Sequence, residues 1–199
     1  MSALITRLNS LHQMGHARGN VSLHQESRFH DNAPLVFTPA AVLVAITDGP
    51  EPALLLTHRP ETMRSHPGQI AFPGGKCDPG EDAGAAALRE AHEELGIDPD
   101  VVQIIGMSDP YRTHSGFEIT PVIAVIPDGC AIQPNPDEVA SWFAVPFDFV
   151  LDPANQQQVP VEWQGQHHTT WQINWQEHRI WGVTAGLLVN LSRRLLWHG

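Results

Sequence analysis

Apolar and polar positions alternate along the chain in several distinct rhythms. Leu4, Leu8 and Leu11 recur at helical spacing and predict a short N-terminal amphipathic helix. Residues 15–34 are polar and irregular. The run 40–46 is apolar without a break and predicts a buried strand, followed by an Asp48-Gly49-Pro50 turn. Residues 54–57 predict a second strand able to pair with the first as a hairpin. Residues 59–69 hold two Arg, two Pro and a Gly and read as a loop. A helix fits 82–95, with Asp82 as N-cap and Gly96 suited to a left-handed C-terminal position. Strands are expected over 101–107, 117–126 and 141–145. Val159, Val161 and Trp163 alternate, as do Thr169, Trp171, Ile173 and Trp175, with Gly165 between the two sets. That pattern predicts a late hairpin. Residues 182–197 close the chain as a helix, with Val183, Leu187, Leu191 and Leu195 as its apolar stripe. Arg193 and Arg194 lie near its C-terminus, where cations suit the helix dipole. Strands outnumber helices, yet helices stand at the start, middle and end. This predicts an α+β or α/β sandwich, a mixed β-sheet between α-helices. We divide the chain into an N-terminal helix and irregular lead-in, 1–34, and a single domain, 35–199.

Composition narrows the partners. The 199 residues suit one domain with a substantial core, and the formal net charge is −11. Ten Arg and one Lys supply the side-chain positive charge apart from histidine. A chain this acidic lacks the basic face of a nucleic-acid binder and the polybasic stretch that favours an anionic membrane. The N-terminal residues have no apolar signal region, and no apolar run approaches the length of a membrane span. Cys77 and Cys130 form no CxxC pair and read as reduced thiols. The expectation is a soluble cytoplasmic protein with a small-molecule partner. The sequence does not indicate an oligomeric state.

The chemistry concentrates on the central helix. Glu90, Glu93 and Glu94 stand at i, i+3 and i+4 and share a face. Three carboxylates there repel one another unless a cation neutralises them. A hard divalent ion, Mg²⁺ or Mn²⁺, accepts such oxygen ligands. Leu88, Ala91 and Leu95 are expected to bury against the sheet. Ala86 and Ala87, one turn before Glu90, are expected to leave room for a substrate. Arg89 neighbours Glu93 at i+4, in position to orient a carboxylate. The Gly74-Gly75 turn allows close backbone approach to a metal or phosphate.

The full string from Gly75 to Ile97 satisfies a known pattern: Gly, five residues, Glu, seven residues, Arg-Glu, a small or apolar residue, any residue, Glu-Glu, any residue, Gly, apolar. Chance produces such a register on the order of once in 10⁸ windows at everyday residue usage. The chain therefore resembles a Nudix hydrolase. The resemblance implies the Nudix fold and hydrolysis of a nucleoside diphosphate linked to a second group. It implies Glu90 and Glu94 as main metal ligands, Glu93 as a ligand or the base for attacking water, and Gly75 through its carbonyl as a further ligand. It also implies a supporting role for Glu81. In some Nudix families the base lies outside this string. Glu138 is then the best external candidate, the alternative being a surface carboxylate before a strand.

Upstream lies a longer signature: Leu55-Leu56-Thr57, any residue, Arg59, four residues, Arg64, three residues, Gly68, three residues, Phe72-Pro73-Gly74-Gly75. It resembles the coenzyme A diphosphatase branch of the same family, departing at Pro60, where that branch has Ser or Ala. The segment 181–186 resembles that branch too. Arg59, Arg64, His66 and Lys76 gather in a chain otherwise poor in cations, and arginine forks suit phosphate oxygens. They are candidate substrate contacts, the alternative being pairing with Glu61 or the helix carboxylates. The implied reaction converts coenzyme A, with acyl or oxidised forms as further substrates, and water to adenosine 3′,5′-bisphosphate and 4′-phosphopantetheine. The alternatives are a Nudix pyrophosphatase acting on ADP-ribose, NADH or dinucleoside polyphosphates, and a non-catalytic ligand-binding module.

Overall fold

The computed structural model describes residues 2–19, 21–24, 36–62, 67–163 and 165–198. Helix α1 (Ala3–Ala17) is capped by Ser2, whose hydroxyl accepts from the Ile5 N–H at 3.2 Å. Strands β1 (Thr38–Asp48), β2 (Ala53–His58), β3 (Ile70–Ala71) and β4 (Gly74–Lys76) precede helix α2 (Ala83–Leu95). Then come β5 (Gln103–Met107), β6 (Tyr111–Arg112), β7 (Phe117–Pro127), β8 (Ser141–Pro146) and the short helix α3 (Phe147–Leu151). Strands β9 (Gln157–Trp163), β10 (Gln166–Trp175) and β11 (His178–Trp181) lead into helix α4 (Val183–Leu195).

An eight-stranded sheet forms the centre, with the order β3-β2-β1-β7-β5; β4 pairs with β1, β6 with β7 and β8 with β2. Strands β1 and β7 run parallel from Thr38↔Phe117 to Asp48↔Pro127, and their other pairings are antiparallel, so the sheet is mixed. The expected β1–β2 hairpin exists, but its ladder is confined to Ile46↔Leu54. Towards their other ends the two strands part. The segment 70–76 fills the gap, with β3 against Thr57 and His58 and β4 against Ala40, Ala41 and Val42. The Leu43 N–H donates to the Pro73 carbonyl at 2.8 Å and ties the wedge in place. This wedge positions the candidate site.

Strand β1 is apolar on both sides because both faces of the sheet are covered. Ala41, Leu43 and Ala45 face α2, together with Leu55, Val122, Ala124 and Ile126. Val44 and Ile46 face the other way, with Leu54, Leu56, Ile123 and Val125, beneath α1, α3 and α4. The late hairpin is present as β9–β10, but β11 joins it to make a separate three-stranded antiparallel sheet.

Helix α4 is more central than its four-residue stripe suggests. Every residue from Thr184 to Leu195 except Arg193 is buried. Its buried polar side chains are matched by partners from other elements. Thr184 donates to the Ile70 carbonyl at 2.9 Å, and Ser192 to the Leu151 carbonyl at 2.6 Å. Asn190 exchanges two hydrogen bonds with the His24 backbone. No described helix is long and apolar enough to cross a membrane.

Candidate active site

Helix α2 starts and stops for local reasons. The Asp82 carboxylate accepts from the Ala85 N–H at 2.9 Å, and Gly96 (φ 66°) turns left-handed to end the helix. Ala86, Ala87, Ala91 and Leu95 are buried against β1 and β7. Ala86 and Ala87 therefore border core, not a substrate space. Their small size lets the helix lie close to the sheet, which corrects the expectation drawn from their position before Glu90. Leu88 is only partly buried.

The helix brings Glu90 and Glu94 to the wedge, and a loop brings a third carboxylate. Oxygens of Glu90, Glu94 and Glu138 all lie within 4.8 Å of one another. The loop hangs on the open end of α2: the Gln133 and Asn135 N–H groups donate to the Leu95 and Glu94 carbonyls, each at 2.8 Å. These are C-terminal carbonyls that the helix itself leaves unpaired. Asn135 in turn accepts from Glu138 and Val139, and Ala140 donates to the His58 carbonyl. Glu138 is thus fixed from both sides.

The cluster is electrostatically unbalanced. Glu94 is 5% exposed. Burial, helped by the neighbouring Glu90 and Glu138 charges, pushes its carboxyl up to about 8, against the Gly74 N–H at 3.3 Å and the Arg59 charge. Burial likewise raises Glu90, with Glu93 and Glu138 adding repulsion and Arg89 opposing it. Gly75 is packed so tightly against Glu90 that an added Cβ would overlap its carboxylate. A hard cation fits this donor set. Three converging carboxylates, one of them deeply buried, need positive charge that the protein only partly provides.

Arg89 organises the outer edge. Its Nε and Nη2 reach the two Glu81 oxygens at 3.0 Å each, and Nη1 reaches Glu90 at 2.9 Å and Glu93 at 3.1 Å. Nη2 also donates to the Lys76 carbonyl. The hydrogen bond to Glu81 is the main reason the Arg89 pKa lies above its ordinary value. The same bond holds Glu81 below the usual carboxylate range. Glu93 is half exposed, pairs with Arg89 and stands outside the three-carboxylate cluster.

Arg59 lies near the cluster. Its charge acts on Glu94, and its buried Nε has no hydrogen-bond partner among the described residues. Lys76 is exposed, its ammonium 5.6 Å from the centre of the Phe117 ring. Arg64 and His66 lie outside the described residues. Two contributions escaped sequence reasoning: the Gly74 N–H aimed at Glu94, and the loop bonds that deliver Glu138. The Gly74-Gly75 pair was the available signal for the first. Nothing local signals the second.

The NUDIX domain model matches residues 37–163. The uncharacterised Nudix hydrolase NudL of Cronobacter sakazakii is 42% identical over 159 residues, covering 78% of this chain and 82% of that one. The protein of that name from Shigella flexneri is 38% identical over 164 residues, covering 81% and 85%. Among solved structures, the Nudix hydrolase RenU of M. smegmatis is 28% identical with a TM-score of 0.49, covering 56% of this chain and 71% of that chain. A C. elegans Ap4A hydrolase is 23% identical with a TM-score of 0.48, covering 55% and 80%.

Proposed function

The chain belongs to the Nudix family, a hydrolase of diphosphate-linked substrates, and from that premise we propose that its substrate is coenzyme A, with acyl or oxidised forms also accepted. The observation that carries this reading is Arg59. The upstream signature that resembles the coenzyme A diphosphatase branch leads along β2 to this arginine, whose charge acts on the carboxylate cluster and whose buried Nε–H has no partner among the described residues. A guanidinium with donors to spare, next to a cation site, suits phosphate oxygens. Arg64 and His66 follow in the same signature, and we assign them with Lys76 to the phosphates of this highly anionic substrate.

Glu90 and Glu94 would hold Mg²⁺ or Mn²⁺, with the Gly75 carbonyl as a further ligand, and Glu138 stands beside them. When bound, the ion supplies positive charge against the diphosphate oxygens. Glu138 takes the proton from the attacking water. Its side chain has no hydrogen bond among the described residues, whereas Glu90 is engaged by Arg89 and Glu94 is buried. The water oxygen bonds to phosphorus, the bridging P–O bond breaks, and the second phosphate leaves as an anion. Glu93 keeps Arg89 in register with Glu90 and Glu81. A cytoplasmic location and a small-molecule partner fit this chemistry.

A panel of coenzyme A, ADP-ribose, NADH and dinucleoside polyphosphates, each with Mg²⁺ and Mn²⁺, tests the reading. Product masses locate the broken bond. Coenzyme A turning over fastest to adenosine 3′,5′-bisphosphate and 4′-phosphopantetheine is the expected result. Faster turnover of ADP-ribose replaces it with that alternative.

A further inference from the structure

Strand β8 carries two adjacent aromatic residues with opposite surroundings. Phe143 packs on the core side, its ring stacked on His178 at 3.8 Å between centroids and 8° between planes. Trp142 points to the other face and is 39% exposed. Among the described residues no ring stacks on it. Among the described residues β8 pairs with β2 alone, and the indole is partly open to solvent.

Its position relative to the carboxylate cluster is fixed by register. Trp142 lies directly opposite Thr57. Residues opposite one another share a face, and so do residues two apart on one strand. Leu55, two before Thr57, packs in the core beneath α2. Arg59, two after Thr57, acts on Glu94. Trp142 and Arg59 therefore share the face that holds the carboxylates, separated by about 7 Å of strand. Glu138 lies four residues before Trp142 in the chain, so one short stretch runs from the cluster to the indole.

We propose that Trp142 is the platform on which the adenine ring of the substrate stacks, making it a specificity residue for the nucleotide half. A diphosphate held at Arg59 and the carboxylates has its base one ribose away. A flat indole of this size, continuous with the phosphate site, suits the π-face of a base. The pantetheine arm is a flexible chain with no ring to stack. The proposal rests on the reading of the site as a nucleoside diphosphate hydrolase, but it needs only an adenosine diphosphate in the substrate.

The test compares AMP with ribose 5-phosphate as competitive inhibitors, two probes that differ only in the base. The reaction followed is whichever adenosine diphosphate substrate the panel selects, so a failure of the coenzyme A assignment does not decide this one. In the wild type AMP should bind more tightly than ribose 5-phosphate. Trp142→Ala should reduce that advantage about tenfold, leaving the ribose 5-phosphate inhibition constant unchanged, and Trp142→Phe should restore most of it. AMP, and not ribose 5-phosphate, should also quench indole fluorescence in the wild type, with the quench lost in Trp142→Phe. An undiminished AMP advantage in Trp142→Ala, or a parallel weakening of both probes, overturns the proposal.

Discussion

Glu94 combines two demands that conflict at the level of a single side chain. It is buried among carboxylates, so the folded protein favours its protonated form, with a pKa pushed up to about 8. A cation needs the carboxylate. Binding must therefore expel a proton below that pKa, and metal affinity should rise with pH between about 6 and 8, by at most tenfold per unit. Calorimetry in buffers of different ionisation enthalpy reads that proton directly, and Glu94→Gln should abolish its release together with most binding. The sign for stability is opposite. Without metal, the folded state binds a proton that the unfolded chain has lost above its ordinary carboxylate pKa. Metal-free stability should accordingly fall as pH rises towards 8. At pH 8 without metal, Glu94→Gln should melt at a higher temperature than the wild type. Glu138→Gln separates the base from the ligands: turnover should drop about 10²–10⁴-fold with little change in melting temperature. Glu93→Gln should lose much less, because Glu93 stands outside the cluster.

At the scale of elements, the wedge between β1 and β2 decides whether the carboxylates meet. Gly75→Ala puts a methyl where the Glu90 carboxylate lies. Turnover should fall at least tenfold while far-UV circular dichroism stays native, since α2 keeps its own caps. The elements legible in the sequence were those whose pattern is local. Helix α2 announced itself through Asp82 and Gly96, and β1, β7 and α4 through their apolar runs. The short pieces were not legible. Strands β3 and β4 exist because β1 and β2 part and leave backbone groups to be paired, a tertiary cause with no periodicity of its own. Strand β11 and helix α3 are likewise too short to show a period. The site divides the same way. Glu90 and Glu94 follow from spacing on one helix, and Glu138 could be named only because the family resemblance allows a base outside the helix string. Its approach to the other two depends on the loop hung from the Glu94 and Leu95 carbonyls. Burial of Ala86 and Ala87 was misread because helix spacing gives faces, not what covers them.

The molecule as a whole is closed by α4, and one side chain shows how. Arg194 is buried near the helix C-terminus, where the sequence suggested a dipole contact. Instead its guanidinium holds Asp109 with two hydrogen bonds, 2.7 and 2.5 Å, and donates to the Gly15 and Arg18 carbonyls at the end of α1. Three parts of the chain meet there: the first helix, the loop between β5 and β6, and the last helix. Burial alone would raise the Asp109 carboxyl. The hydrogen bonds and charge of Arg194, with His16 nearby, outweigh it and hold the carboxyl below its usual range. A depressed carboxylate stabilises the fold fully above its unfolded pKa, near 4, and progressively less as pH falls through the folded value. The pair should therefore contribute to stability at neutral pH and fail in acid. Arg194→Met should cost about 3 kcal/mol at pH 7, the low end for a broken buried pair, because Asp109 retains some water. Asp109→Asn/Arg194→Met should cost less than the sum of the single changes. Urea melts at pH 7 and pH 3 measure both effects. The gap between wild type and Arg194→Met should narrow at pH 3, and a gap that widened there would remove the ion pair as its cause.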